Sequence, residues 1–206
     1  MPCNHKFIED LNLENLDFAP TTLIVGTFNP AWPEGNKAEW FYGRIDNNFW
    51  DVLPRLYGKE SMRCSNPSEW KQFCKENKIA ITDLIETIVD ADEENKNHIA
   101  LLKTFSDKNI ANEFTKQKLV DIVDLLKRNP TIKNIYFTRG IGETFWKRSW
   151  KPIKAYCDSK KYKCETLLTP SGYAFYQQAK YNKKNIENSL NLEDFILKEW
   201  KAKWHF

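Results

Sequence analysis

Four short runs of apolar and β-branched residues, each closed by turn-forming residues, predict the strands of a buried sheet. The clearest runs cover residues 22–25, 134–138 and 164–169, and residues 79–82 form a weaker fourth run. Apolar residues between and after these runs recur at the spacing of one helical face. The three helical sets are Phe49, Trp50, Leu53 and Leu56; Leu119, Val123 and Leu126; and Leu192, Phe195, Ile196, Trp200 and Trp204.

Alternating strands and helices imply a parallel sheet that is covered by helices on both faces. We therefore predict an α/β fold in which three layers, α/β/α, are built around a central, mostly parallel four-stranded sheet. The length of 206 residues fits a single domain over residues 1–206 better than two domains. Residues 89–97 are predicted to form an exposed polar loop and residues 174–190 a helix-like segment.

Glycine is scarce in this chain, and four of its seven glycines fall just beyond predicted strands: Gly26, Gly140, Gly142 and Gly172. Ordinary turn chemistry explains any one of them. In parallel α/β folds, however, ligands bind beyond the carboxyl ends of the strands. The clustering of glycines therefore favours a binding site at that edge of the sheet.

Composition excludes several classes of protein. Hydrophobic residues make up 41% of the chain and charged residues 29%, which excludes a disordered chain. No uncharged apolar run approaches the ~18 residues of a membrane span, so no membrane contact is expected. Five cysteines without a Cys-x-x-Cys pair indicate free thiols in a reducing compartment, and the expected location is cytoplasmic.

Metal and cofactor sites are not expected either. The three histidines, His5, His98 and His205, are scattered along the chain, so neither a metal cluster nor a histidine-based triad is predicted. The loop after the first predicted strand, residues 26–30, lacks the later glycines and the lysine of a phosphate-binding loop. We therefore expect no metal and no cofactor.

Charge is distributed unevenly along the chain. Residues 1–130 hold 16 basic and 21 acidic residues, a net charge of −5, whereas residues 131–206 hold 15 and 7, a net charge of +8. A basic half fits a polyanionic partner such as a nucleic acid, and a solvated surface explains it about as well.

The loop after the first predicted strand begins a series of more specific motifs. The stronger ones are Gly26-Thr27-Phe28-Asn29-Pro30, Phe41-Tyr42-Gly43 with Asn47-x-Phe49-Trp50, and Thr169-Pro170-Ser171-Gly172. The weaker ones are Ile81-Thr82-Asp83, Ser106-Asp107-x-Asn109-Ile110 and Phe137-Thr138-Arg139-Gly140. Taken in chain order, over residues 20–190, the six motifs resemble the uracil-DNA glycosylase superfamily, especially the branch of mismatch-specific uracil/thymine and hypoxanthine-DNA glycosylases. The sequence departs from that pattern at Ile45, where proline is usual, and at Thr169, where asparagine or histidine is usual.

The resemblance implies a monofunctional, hydrolytic DNA glycosylase that removes a deaminated or mismatched base, such as uracil or hypoxanthine, with low activity. It nominates Asn47, with Asn29 as the second candidate, to hold the attacking water: the side-chain carbonyl would accept a hydrogen bond from the water, and the loop would position the amide. The implied base-binding residues are Gly26, Phe28 and Tyr42, and Phe28 would stack on the extruded base.

The resemblance also places Ser171, Gly172 and Tyr173 against DNA, and the basic half of the chain adds the candidates Arg139, Lys183 and Lys184. The expected partner is DNA, double- or single-stranded, and the expected state is a monomer.

Simpler interpretations of these residues stay open. Asn47 also suits the N-terminal cap of a helix that begins at residue 48 or 49, and Asn29-Pro30 suits an ordinary turn. Tyr173 also suits a residue that packs on the sheet behind a capping Ser171. Asp83 fits a strand-end cap or a salt-bridge partner better than a catalytic base.

Two further interpretations concern Arg139 and the function as a whole. Arg139 either contacts phosphate or is merely solvated. The alternative function is a glycosylase-fold protein that binds nucleic acid but no longer cuts it. A third, a small-molecule α/β hydrolase, has no nucleophile elbow to support it.

Overall fold

Two β-sheets form the framework of the protein in the computed structural model, which describes residues 1–32 and 35–206. The strands are β1 (Cys3–Asn4), β2 (Thr22–Gly26), β3 (Ile79–Asp83), β4 (Ile85–Ile88), β5 (Gln117–Leu119), β6 (Asn134–Phe137) and β7 (Lys163–Thr166). The helices are α1 (Phe49–Leu56), α2 (Pro67–Glu76), α3 (Lys96–Lys103), α4 (Asp107–Glu113), α5 (Ile122–Arg128), α6 (Thr144–Lys160), α7 (Phe175–Lys184) and α8 (Leu192–Lys201). Single turns of 3-10 helix cover Ile8–Asp10, Gly172–Ala174 and Ile186–Asn188.

The larger sheet consists of the four strands that the sequence predicts, in the order β3-β2-β6-β7, and all neighbours are parallel. The register aligns their carboxyl ends, because Gly26 pairs with Asp83 and Phe137 pairs with both Val25 and Thr166. The loops that follow the four strands therefore meet at one edge of the sheet.

Helices cover both faces of this sheet, as alternating side chains of β6 demonstrate. On one face, Tyr136 stacks on Trp204, which follows α8, with ring centroids 4.2 Å apart. On the other face, Phe137 stacks on Trp150 of α6 at 4.6 Å. The predicted three-layer α/β/α architecture is confirmed.

The smaller sheet was not predicted. It is antiparallel, in the order β1-β4-β5, and Cys3 of β1 pairs with Ile88 of β4. Only Leu84 separates β3 from β4, so the chain passes directly from the larger sheet into the smaller one. Asp83 therefore lies at the junction of the two sheets, next to the segment that follows β1.

Several predicted boundaries differ from the structure. Leu119 belongs to β5 and not to a helix with Val123 and Leu126, because Asp121 caps α5 by accepting a hydrogen bond from the amide of Asp124. The strand predicted over residues 164–169 ends at Thr166, and α3 begins inside the predicted polar loop. The helix-like segment 174–190 contains α7, which ends at Lys184.

Candidate active site

A cleft of about 790 Å³ lies at the carboxyl edge of the larger sheet. Each of the four strands contributes to its lining: residues 27–29 follow β2, Asp83 ends β3, residues 138–140 follow β6, and residues 169–173 follow β7. This is the edge at which parallel α/β folds bind ligands. The site that the glycines predict is therefore present as a concave surface.

Gly26 lies beneath the floor of this cleft, where two side chains approach its Cα. A Cβ at this position would lie 2.0 Å from Oδ1 of Asp83 and 2.4 Å from the hydroxyl of Tyr42. Only glycine leaves room for both groups. Gly26 is thus placed to shape the floor, whereas the predicted base-binding residues Phe28 and Tyr42 themselves line the cleft.

Tyr42 adopts a left-handed backbone conformation, with φ of 57°, which is uncommon for an aromatic residue. Its ring stacks on Phe49 with centroids 3.9 Å apart, and its hydroxyl lies 2.8 Å from Oγ1 of Thr138. Burial raises the pKa of Tyr42 well above its ordinary value, and the negative charge of Asp83 adds to the rise. The hydroxyl therefore stays protonated and can donate a hydrogen bond.

Asp83 forms a buried hydrogen bond with His5, a residue that sequence reasoning set aside. Nε2 of His5 lies 2.8 Å from Oδ2 of Asp83, and the His5 side chain is fully buried. The smaller sheet positions His5, because its backbone amide donates to the carbonyl of Glu86 at 2.8 Å. In the sequence, Asp83 directly follows the predicted strand of residues 79–82, whereas no local pattern marks His5.

The two candidate asparagines both line the cleft and are both held by their carbonyl oxygens. Oδ1 of Asn47 accepts from the amide of Phe49, the first residue of α1, at 2.9 Å. Oδ1 of Asn29 accepts from Nδ2 of Asn36. The N-cap position of α1 is Asn48 and not Asn47, but Asn47 still binds the first amide of the helix, and this contact fixes the side chain of a residue that lines the cleft.

Arg139 is surrounded by carboxylates and an aromatic ring at the wall of the cleft. Its guanidinium lies 3.2 Å from Asp107 and 2.5 Å from Glu143, and it sits 4.4 Å from the ring centroid of Trp146. Burial lowers the pKa of Arg139, while it raises that of Asp107, and the attraction between the two opposes both shifts. Arg139 is therefore buried and ion-paired instead of solvated; its contact with phosphate stays a prediction.

Exposed aromatic residues form the rim next to β7. Tyr173 and Tyr176 are 61% and 69% exposed, and Phe175 between them is exposed as well. The turn before them is ordered by Thr169, whose hydroxyl accepts from the amide of Ser171 at 3.3 Å. The interpretation in which Tyr173 packs on the sheet is wrong, since its ring faces solvent.

Two of the remaining DNA-binding candidates lie in the cleft, and two lie farther away on α7. Ser171 and Gly172 line the cleft. Lys183 and Lys184 are exposed in the last turn of α7, about 12 Å along the helix axis from its first residue. They can contact only a partner that extends beyond the cleft.

Across the described residues, no three or more histidine, cysteine or acidic side chains are grouped so that they could hold a metal ion. None of the helices in the described part of the chain combines the length and the apolar character that crossing a bilayer requires.

Comparisons with known proteins bear on the fold. Neither the models of protein families nor the curated proteins give a match to this sequence. Among solved structures, the solution NMR structure of a "putative Uracil DNA glycosylase" from Methanosarcina acetivorans is similar, with a TM-score of 0.54 and 18% sequence identity. The alignment covers 92% of this chain and 94% of that chain. The chain therefore shares the α/β fold of that protein over nearly its whole length.

Proposed function

We propose that the protein is a DNA glycosylase that hydrolyses the N-glycosidic bond of a deaminated or mismatched base, such as uracil or hypoxanthine, in base excision repair. The observation that carries this proposal is the cleft itself. Its floor combines amide, hydroxyl and carboxylate groups with Phe28, and its rim carries exposed aromatic rings. The fold shared with the Methanosarcina protein supports the same conclusion.

The proposed reaction needs complementary charge on the two sides of the bond that breaks. The oxygen of a water molecule bonds to C1′ of the sugar, the C1′–N bond breaks, and its electron pair leaves on the base. Positive charge develops on the sugar and negative charge on the base, so the site must supply acceptors for the water and donors for the base. The side-chain NH₂ groups of Asn47 and Asn29 and the protonated hydroxyl of Tyr42 are donors, and the carboxylate of Asp83 is an acceptor in the same cleft.

The base must leave the helical stack before it reaches the floor. Phe28 lines the cleft and offers a ring for the extruded base, while the exposed Tyr173 can fill the space left in the stack. Lys183 and Lys184 supply positive charge for flanking phosphates. These contacts suit a monomer acting on DNA, with no metal or cofactor in the proposed reaction.

The test uses duplexes that carry a single uracil, hypoxanthine or xanthine, followed by alkali cleavage of the abasic product. We expect slow but measurable excision of at least one of the three bases, and none from an undamaged duplex of the same sequence. Binding to these duplexes without excision of any base would contradict the proposal and favour a glycosylase-fold protein that only binds nucleic acid.

A further inference from the structure

The carboxylate of Asp83 has one engaged oxygen and one free oxygen. Oδ2 accepts the hydrogen bond from His5, whereas Oδ1 has no hydrogen-bond partner among the described residues. The side chain is 8% exposed, and that exposure faces the cleft, which Asp83 lines. Oδ1 is therefore an acceptor at the floor that no protein group uses.

The hydrogen bonds around His5 determine which of its nitrogens carries the proton. The backbone amide of Phe7 donates to Nδ1 at 3.0 Å, so Nδ1 must present a lone pair. The proton of the neutral imidazole then lies on Nε2, which donates it to Oδ2 of Asp83. Since Phe7 and His5 belong to the same short segment, the backbone itself fixes this tautomer.

We propose that Asp83 is the catalytic residue that takes the proton of the attacking water, and that buried His5 is the positioning residue that aims its free oxygen. The proposal rests on the proposed glycosylase function and names the proton acceptor for that reaction.

The negative charge of Asp83 favours a position beside the attacking water over a position beside the departing base. A carboxylate beside the departing base would repel the negative charge that develops there and slow the reaction. The same carboxylate beside the sugar is attracted by the developing positive charge, and it can accept a proton from the attacking water. The two asparagines keep their carbonyl oxygens occupied, which leaves their amide protons for the base.

The step balances without any further reactant. The oxygen of water forms a bond to C1′, one water proton moves to Oδ1 of Asp83, and the C1′–N electron pair departs with the base. The anionic base then gains a proton, Asp83 returns its own proton to solvent, and the sugar is left with a hydroxyl at C1′. His5 keeps its Nε2 proton throughout.

The first test replaces the proton acceptor without changing its shape. Asp83→Asn keeps the hydrogen-bonding oxygen but cannot take a proton, so single-turnover excision should fall by about a hundredfold or more. Asp17→Asn is the matched control, because Asp17 is exposed and pairs with Lys75, far along the chain from Asp83. Binding to a duplex whose target nucleotide carries 2′-fluorine, which resists base loss, should stay unchanged for both variants.

The second test addresses His5 with a pair of variants. His5→Gln can still donate to Asp83 from a nitrogen near the position of Nε2, whereas His5→Leu cannot. We expect glutamine to restore excision to within about tenfold of the parent and leucine to lose it, at equal affinity for the fluorinated duplex and similar melting temperatures. A purely structural role would give equal losses for both variants.

A third measurement is independent of activity. In ¹⁵N-resolved spectra of the parent, His5 should show a slowly exchanging proton on Nε2 and none on Nδ1. A proton on Nδ1 would overturn the positioning role, and excision by Asp83→Asn within about twofold of the parent would overturn the catalytic role. A parent that excises no base refutes the glycosylase function and the proton transfer together, and the spectra then still decide the His5 contact.

Discussion

The side chain of Asn47 both binds the first amide of α1 and lines the cleft, and substitutions can separate these two roles. Asn47→Ala should lose most base excision, because the amide that faces the cleft is removed, while the fold and DNA affinity are kept. The loss of the contact to Phe49 should cost only about 1 kcal/mol of stability. Excision would be measured under single-turnover conditions, with thermal melting as the check on folding.

The control for this prediction is Asn47→Ser. Serine can still accept the hydrogen bond from the amide of Phe49, but it has no amide of its own. Melting should therefore return toward the parent value while excision stays low. If the alanine variant retains excision within about a factor of two of the parent, the role of Asn47 is limited to its contact with the first amide of α1.

Adding a single carbon atom, the Cβ, at Gly26 tests whether the floor of the cleft is rigid. In Gly26→Ala, the added methyl group must displace both Asp83, which His5 holds, and Tyr42, which Thr138 holds. We expect a stability loss of about 1–3 kcal/mol and a larger proportional loss of excision. Gly142→Ala, where an added Cβ meets no atom within 4 Å, is the control and should behave like the parent. Equal behaviour of both variants would show that the floor is not rigid.

Sequence reasoning could locate some residues of the site and not others, for a physical reason. Asn29, Tyr42 and Asn47 lie in compact motifs next to a predicted strand or helix, so their spacing carries information. The contact between His5 and Asp83 joins residues 78 positions apart and exists only because the smaller sheet brings them together. No local pattern contains such a contact.

At the scale of elements, the turn from β7 into α7 places Tyr173 at the rim of the cleft. Tyr173→Ala should lower excision from duplex DNA by about 5- to 150-fold, since base–aromatic stacking is worth about 1–3 kcal/mol. The loss on single-stranded DNA should be small, because no base pair has to be opened there. Paired assays on the two substrates measure this difference.

Because Tyr173 is exposed, we expect Tyr173→Ala to change the melting temperature only slightly. Phe206→Ala is the control, because Phe206 is even more exposed, at 84%, and lies outside the cleft lining; it should leave both activities unchanged. Equal losses of Tyr173→Ala on duplex and single strand would refute a wedge that acts on the stack.

The elements themselves were predictable to different degrees. The four strands of the larger sheet could be read from the sequence, because each is a buried run bounded by turn residues. β1 and β5 have only two and three residues, which is too short for an alternating pattern to emerge. Leu119 was misassigned for this reason, although Asp121 two residues later carries the signal of a helix start.

At the scale of the whole molecule, the uneven charge predicts binding that depends on salt. Affinity for DNA should fall along a straight line in a log–log plot against salt concentration, because neutralised phosphates release counterions. The double variant Lys183→Ala with Lys184→Ala should make this slope shallower by about two. Fluorescence anisotropy between low and moderate salt measures the slope.

The matched control removes two lysines from the acidic part of the chain. Lys71 and Lys75 of α2 already pair with Asp10 and Asp17, so replacing both by alanine changes the net charge equally without removing free positive charge near the cleft. That variant should keep the slope of the parent. An affinity for DNA that does not change across the salt range would remove nucleic acid as a partner.

The antiparallel pairing of β1 with β4 also sets the order in which the protein can be completed on the ribosome. Asn4 leaves the exit tunnel long before its partner Thr87, and at about 5–20 residues per second the wait lasts about 4–17 s. Until β4 emerges, the segment that carries His5 has no sheet to join and Asp83 has no neighbour to orient it. A nascent chain can therefore already contain β1 and both candidate asparagines, Asn29 and Asn47, and still lack the oriented form of the proposed proton acceptor, which has to wait for β4.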